Sequence, residues 1–272
     1  MRYADQHMHS DCSFDGHSPM RIMAEAAREH GMSAVCFTDH VDMDDSRTGL
    51  LCPDDPEARE RMRSQALALK AEPPAGLEVR FGLELGEATH DAARAADIAA
   101  MPELDFVLGS FHNLRGMADF YYLRYGSEAE CDRLNRMYLA ELLALAEQGG
   151  FDIMAHVGYT SRYMHRSGFR TEITPAEYGD ELTALFRRLI RDGRGIEVNV
   201  SGLRQGHTTY PNAETLRLYR SLGGELVTVG GDAHVPADAG VGVKDGYALL
   251  RELGFRYAAE FRERKPELFR IE

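Results

Sequence analysis

The stretch RYADQHMHSDCSFDGHSPMRIMAEAAREHGMSAVCFTDH, residues 2–40, predicts the unit from which the fold is built. It holds a strand candidate at Arg2–His7, a helix candidate at Ser18–His30 and a second strand candidate at Ala34–Thr38. A proline in the first turn of the helix and a glycine just past its end are the residues expected at those places. This order predicts two parallel strands joined by a right-handed crossover.

The same alternation continues along the chain. Further strands are predicted at Leu77–Leu85, Asp105–Gly109, Phe151–His156, Gly195–Val200 and Glu225–Gly230. Further helices are predicted at Pro56–Ala71, Asp91–Ala100, Glu128–Gln148, Pro175–Arg191, Asn212–Ser221 and Gly246–Leu253. Seven strand–helix units predict an α/β fold in one domain over residues 1–272. A closed or nearly closed barrel fits that number better than an open sheet, although periodicity alone does not separate the two.

Composition indicates a globular cytoplasmic protein. The chain has 272 residues, of which 44% are hydrophobic, enough for a large core. The N-terminus lacks the pattern of a signal peptide, and no apolar stretch is long enough to span a bilayer, so no membrane partner is expected. The four cysteines form no CxxC pair and are interpreted as reduced thiols.

Net charge narrows the range of partners. Asp and Glu outnumber Lys and Arg by 44 to 31, which gives a formal charge of −13. Nucleic-acid binders usually carry a basic face, so no nucleic acid is expected as a partner. A phosphate substrate remains compatible with this charge, because bound divalent metals reverse its sign inside one pocket.

Potential metal ligands follow six of the seven predicted strands. They are His7 and His9, the Thr38-Asp39-His40 run, Glu84, His112, His156, and the pair Asp232 and His234. Residues two apart on a strand point to the same side, so the first two imidazoles can meet one metal. The carboxyl ends of barrel strands share one rim, where active sites lie. Imidazoles and carboxylates without thiolates suit Zn, Mn or Fe, and the ligand set does not choose among them.

Several other polar residues lie outside these strand ends. His30 and His90 are expected to be structural, and Glu87 is expected at the surface. His207, like His165, lies in a predicted loop that could reach the pocket.

The ordered set of motifs resembles the PHP (polymerase and histidinol phosphatase) family. The matching motifs are His7-x-His9, Thr38-Asp39-His40, Gly82-x-Glu84, Ser110-x-His112, His156 and Asp232-x-His234, in order and in spacing. The resemblance implies a distorted (β/α)7 TIM-like barrel and three divalent metal ions. It assigns the first metal to His7, His9, Glu84 and Asp232, the second to Glu84, His112 and His156, and the third to Asp15, His40 and His234. His17 competes with Asp15 for the last place.

Within the family, the chain resembles the stand-alone histidinol-phosphate phosphatases. The resemblance rests on Phe37-Thr38-Asp39-His40, Gly109-Ser110-Phe111-His112, Arg162-Tyr163, and the run from Glu197 to Arg204 followed by Tyr210-Pro211. One departure is Gly158, where many of these phosphatases carry an Asp.

Three functions follow as hypotheses. The first is a phosphomonoesterase that hydrolyses L-histidinol phosphate to L-histidinol and phosphate, with a metal-bound hydroxide as nucleophile and no separate protein nucleophile. The second is another phosphoesterase of the family, acting on nucleotides or other small phosphate esters. The third is a non-catalytic metal-binding regulatory protein, against which the complete ligand set argues. Arg162 and Arg204 follow strand ends and are predicted to bind the phosphate. The sequence leaves the oligomeric state open.

Overall fold

The computed structural model of the protein describes residues 2–169 and 171–271. Its strands are β1 Ala4–Met8, β2 Ala34–Phe37, β3 His40–Asp42, β4 Glu78–Gly86, β5 Phe106–Ser110, β6 Ile153–Met154, β7 Gly195–Asn199, β8 Val227–Gly230, β9 Tyr257–Arg262 and β10 Lys265–Arg270. Its helices are α1 Met20–Glu29, α2 Pro56–Ala71, α3 Ala92–Ala99, α4 Glu128–Gln148, α5 Tyr159–Arg166, α6 Pro175–Arg191, α7 Ala213–Ser221 and α8 Val243–Glu252.

Seven parallel strands form a nearly closed barrel. Their order is β1-β2-β4-β5-β6-β7-β8, with β3 continuing the path of β2 along the upper half of β4. The last strand returns to the first, because the Asp232 N–H donates to the His7 carbonyl at 2.7 Å and the His9 N–H donates to the Ala233 carbonyl at 3.0 Å. The predicted (β/α)7 barrel is therefore confirmed.

Local sequence signals explain where the helices begin. The Asp55 side chain accepts the Ala58 N–H ahead of α2, and Ser127 accepts the Glu130 N–H ahead of α4. Such caps satisfy backbone donors that the first turn leaves free. Gly149 ends α4 with a φ of 82°, a conformation that glycine adopts at little cost.

A C-terminal hairpin, absent from the sequence prediction, closes the lower end of the barrel. Strands β9 and β10 pair antiparallel, and Ala259 and Phe261 pack with the inward residues Phe106 and Leu108 of β5. The Phe106 and Phe261 rings lie 4.8 Å apart between centroids. This apolar plug fills the barrel below the candidate ligands, so polar chemistry is confined to the upper rim.

Two further expectations can be compared with the fold. All four cysteines are free thiols, two of them buried and two half-buried. Within residues 2–169 and 171–271, every helix is too short or too polar to cross a membrane.

Candidate metal centre

The first strand delivers two imidazoles to the barrel axis. His7 and His9 alternate with Met8, so both side chains face inward while Met8 packs in the outer core. Both histidines are fully buried, and their Nε2 atoms lie 3.0 Å apart. The His7 Nε2 atom lies 3.7 Å from Asp232 Oδ1, and the His9 Nε2 atom lies 3.4 Å from the same oxygen.

The carboxylate of Glu84 lies at the centre of the cluster. Its Oε2 atom is 3.1 Å from His7 Nε2 and 3.2 Å from His40 Nδ1. Its Oε1 atom faces the other side, 3.0 Å from His112 Nε2 and 2.7 Å from His156 Nε2. Each oxygen of this carboxylate therefore faces a different set of imidazoles, which is the arrangement that a bridging ligand requires.

A third group lies nearer the opening. Asp15 Oδ2 is 3.1 Å from His234 Nε2, and Asp15 Oδ1 is 3.7 Å from His40 Nε2. The His234 ring stacks on His9 with centroids 4.0 Å apart. Asp15 and the alternative ligand His17 are both exposed, but the Asp15 carboxylate is the one that pairs with these imidazoles. The geometry therefore favours Asp15 over His17 for this group.

The donor set fits metal cations. Among the described residues, Nδ1 of His112 and Nδ1 of His156 are buried and form no hydrogen bond. Nδ1 of His40 and Nε2 of His234 lie close to carboxylate oxygens, but not in hydrogen-bonding geometry. Ligands of one zinc ion at about 2.0–2.1 Å lie roughly 3–3.5 Å from one another, as the His7 and His9 nitrogens do. Within the described residues, His7–His9–Asp232, His9–His40–His234 and His40–Glu84–His112 each bring three ligand atoms within 4.8 Å of one another.

Electrostatics keep the two central carboxylates ionised. Burial raises the pKa of Glu84, but the imidazoles of His7 and His112 outweigh it and hold that pKa well below its usual range. Burial likewise raises the pKa of Asp232, yet His7 and His9 bring it well below normal. Both groups are therefore anionic acceptors at neutral pH.

Glu197 supports the centre from behind, and the sequence analysis assigned it no role. Its Oε1 atom lies 2.7 Å from His7 Nδ1, and its Oε2 atom accepts the His156 N–H at 2.9 Å. A proton on Nδ1 of His7 leaves Nε2 free to bind a metal, as outer carboxylates commonly arrange. A charged residue inside the apolar run Gly195–Val200 was the available signal, because a buried carboxylate is rarely unpaired.

Asp39 anchors the loop that carries Asp15. Its carboxylate accepts the Ser10 N–H at 2.6 Å and the Ser13 hydroxyl at 2.7 Å. The Ser13 hydroxyl lies 3.1 Å from His9 Nδ1. Asp39 thus orients a candidate ligand through Ser13 rather than contacting the cluster itself.

The prediction that Glu87 lies at the surface is wrong. Its side chain is fully buried, and its Oε1 atom accepts the His112 N–H at 2.6 Å. Its backbone φ is 52°, in the left-handed region that side chains rarely adopt. Together with Asp42, it points a second carboxylate toward His112 Nδ1, which has no hydrogen-bond partner. The sequence spacing could not predict the burial of Glu87, because the residue lies in a turn after β4, where its positive φ changes the direction of the side chain.

We expect Glu87→Ala to weaken metal binding rather than to be neutral. The change leaves the buried His112 N–H without an acceptor, which should lower the free energy of unfolding by about 1–3 kcal/mol. Metal affinity should fall about 10–100-fold, the range typical of an outer carboxylate. Glu87→Gln retains an acceptor oxygen, so its stability and metal affinity should lie between those of wild type and Glu87→Ala. Chelator competition measures the metal affinity, and urea unfolding measures the stability. Wild-type values of both for Glu87→Ala would show that Glu87 does not support the metal centre.

The two predicted phosphate-binding arginines differ in their surroundings. Arg162 is mostly buried beside the centre, with Nη2 bonded to the Ser201 hydroxyl and 3.7 Å from Asp232 Oδ2. Its Nε is buried and has no hydrogen-bond partner among the residues that the structure describes. The Arg204 guanidinium instead donates to the Gly231 carbonyl at 2.6 Å and the Asp232 carbonyl at 3.0 Å. Two of the Arg204 donors therefore support the Asp232 turn, and phosphate binding by Arg204 stays a prediction.

A cavity of about 400 Å³ opens directly above the cluster. Its described lining includes Arg162 and seven of the nine candidate ligands, but neither Arg204, His17 nor His207. His207 packs against His165 outside it, with ring centroids 4.2 Å apart. A cavity of this size suits a small molecule.

The remaining sequence expectations concern single residues. His30 ends α1 with Nδ1 2.7 Å from the Ala239 carbonyl, and His90 pairs with Asp44 at 2.6 Å, as expected of structural histidines. Gly158 has a φ of 108°, where any side chain would be strained. The backbone therefore accounts for the absence of an Asp at this position.

Comparisons with known proteins agree with this geometry. A family model described as "PHP domain" matches residues 5–201. The histidinol-phosphatase of Lactococcus lactis is 26% identical over 274 residues, covering 96% of this chain and 95% of its own. A Thermotoga maritima protein named "Probable histidinol-phosphatase" is 26% identical and covers 94% of each chain. The fold matches a crystal structure of the Lactococcus lactis histidinol phosphate phosphatase in complex with zinc, L-histidinol and phosphate. That match has a TM-score of 0.81, 23% identity, and coverage of 98% and 99% of the two chains.

Proposed function

Because the chain belongs to the PHP domain family, we propose that it is a metal-dependent phosphomonoesterase that hydrolyses L-histidinol phosphate to L-histidinol and phosphate. The observation that carries this proposal is one small cavity lined by Arg162 and seven of the nine candidate ligands, with His7 and His9 buried in the same cluster. The relatives named as histidinol-phosphatases support the choice of substrate.

Three divalent cations are proposed for the centre. His7, His9, Glu84 and Asp232 would hold the first, Glu84, His112 and His156 the second, and Asp15, His40 and His234 the third. Imidazole and carboxylate donors without thiolates suit Zn, Mn or Fe. Such cations, when bound, lower the pKa of water and neutralise phosphoryl oxygens.

The protein's own side chains supply orientation and charge. Glu197 and Ser13 fix the ring positions of His7 and His9 through their Nδ1 atoms. Arg162 presents a buried guanidinium beside Asp232, where its fork of donors suits a phosphoryl group. The Phe106 and Phe261 plug excludes water from below.

A substrate panel tests the proposal. Wild-type protein, loaded in turn with Zn, Mn and Fe, is assayed for phosphate release from L-histidinol phosphate, nucleoside monophosphates, sugar phosphates and 4-nitrophenyl phosphate. We expect the highest kcat/KM for L-histidinol phosphate. A much higher kcat/KM for nucleotides or sugar phosphates would mean that the protein is a phosphomonoesterase with a different substrate. Loaded protein that releases phosphate from none of them would make it a metal-binding protein without this activity.

A further inference from the structure

We propose that Asp119 and the tyrosines around it form an ammonium-binding subsite in the cavity above the metal centre. The enzyme would then select phosphate esters that carry a cationic amine close to the ester oxygen. This inference rests on the proposed function and names the part of the substrate that the cavity recognises. Nothing in the ligand motifs or in the metal centre requires this residue.

Asp119 is a buried carboxylate on the cavity wall without a cationic partner. Its side chain is among the lining residues, and the residue is 7% exposed. It accepts the Tyr121 N–H at 2.7 Å and the Tyr159 hydroxyl at 3.2 Å, both from neutral groups. In the part of the chain that the structure describes, no Lys, Arg or His nitrogen forms an ion pair with it. A buried charge is costly unless it is paired, so a cationic ligand would supply what the protein does not.

Aromatic rings enclose the same place. The Tyr163 hydroxyl donates to the Tyr159 hydroxyl at 3.0 Å, which in turn donates to Asp119. The Tyr121 ring packs edge-on against Tyr163, with centroids 5.6 Å apart. Ring faces attract cations, and the effect adds to that of a carboxylate. The Arg166 guanidinium already lies over the Tyr163 ring at 5.4 Å. The subsite therefore combines one anion with the rings of Tyr121 and Tyr159.

The position of the subsite fits a short amino ester. The Tyr159 ring lies 5.0 Å from the His112 ring and 5.0 Å from the His156 ring, so one aromatic ring separates Asp119 from the metal ligands. Arg162 lies beside Asp232 at the metal end. The cavity thus has the Arg162 guanidinium at the metal end and, one ring away, a carboxylate without an ion-pair partner among the described residues. In L-histidinol phosphate the amine is on the carbon next to the ester carbon, which matches this short separation.

The test compares two esters that differ only in the amine. Metal-loaded wild-type protein and Asp119→Asn are assayed with L-histidinol phosphate and with its des-amino analogue. The measured quantity is the ratio of their kcat/KM values, which cancels any general loss of activity. We expect Asp119→Asn to lower that ratio at least about tenfold, the usual scale of a hydrogen bond to a charged group. Asp119→Glu should restore part of it.

Binding supplies a second readout that needs no turnover. Calorimetric titration with L-histidinol should show affinity lowered at least about tenfold in Asp119→Asn. Asp97→Asn, on the exposed face of α3, is the matched control and should keep the wild-type ratio and affinity. An unchanged ratio in a folded Asp119→Asn protein, with unchanged L-histidinol affinity, would overturn the subsite.

The proposed function can fail while the ammonium subsite still holds. It fails if wild-type protein does not hydrolyse L-histidinol phosphate but does hydrolyse other esters. The subsite is then tested with O-phosphoethanolamine against n-propyl phosphate. A preference for the amine that Asp119→Asn removes supports the subsite, and equal kcat/KM values in wild-type protein overturn it.

Discussion

Glu84→Ala is expected to abolish phosphate release and to lower the metal content of the purified protein. The Glu84 oxygens face imidazoles on both sides, with distances of 3.1 Å to His7 Nε2 and 2.7 Å to His156 Nε2. A carboxylate can hold two cations at once, whereas an imidazole protonated on its other nitrogen cannot. The loss of kcat/KM should exceed the ~10–100-fold typical of an outer-shell change, because two cation sites lose a ligand. Elemental analysis of chelator-free wild-type protein should give more than one metal per chain.

Two variants separate this role from a simple folding defect. Glu84→Gln keeps the shape and one acceptor oxygen, so it should fold like wild type while losing metal. Glu57→Ala removes an exposed carboxylate in the first turn of α2 and should change neither metal content nor turnover. Glu84→Ala with full metal content and near-native turnover would contradict the bridging assignment. Wild-type protein with one metal or less, unchanged by added Mn or Zn, would contradict the three-cation proposal.

The barrel and the ligand motifs were predictable because both depend on local pattern. Apolar runs of strand length alternate with capped helices, and parallel strands place their carboxyl ends on one rim. His7 and His9 show this well, since period-two alternation directs both inward from β1. Strand boundaries shifted by a few residues, as in β6, which spans Ile153–Met154 rather than Phe151–His156. Such shifts do not move the ligands off the rim.

What the sequence did not predict depends on contacts between distant segments. Glu197 acts on His7 across 190 positions, and no spacing rule connects them. The β9–β10 hairpin has only a few inward apolar residues, such as Ala259 and Phe261, too few for a clear strand pattern. Helix α5 spans only Tyr159–Arg166 and contains tyrosine, arginine and histidine but no aliphatic residue other than Met164, so it is absent from the sequence prediction. Four residues of the cavity wall, namely Tyr159, Arg162, Tyr163 and Arg166, come from this helix.

Arg162→Ala is expected to lower kcat/KM about 10²-fold while metal content stays near the wild-type value. That loss is on the scale of ~3 kcal/mol from one charged donor that acts on a transition state. The guanidinium is 12% exposed and packs over the Tyr210 ring at 5.4 Å. Its buried Nε–H has no acceptor within the described residues, so a donor is available to a phosphoryl oxygen. Arg162→Lys should restore only part of the activity, because a point charge does not reproduce the planar fork.

Arg204→Ala provides the contrast, because two of its guanidinium donors already bond to the Gly231 and Asp232 carbonyls. Asp232 has a φ of 54°, so this strained turn depends on that support. Arg204→Ala should therefore lower thermal stability and metal content, with phosphate affinity falling only as metal is lost. Arg162→Ala should instead weaken inhibition by inorganic phosphate at full metal content. If the two variants lost metal to the same extent, Arg162 would also act by supporting Asp232. Phosphate binding would then depend on the cations alone.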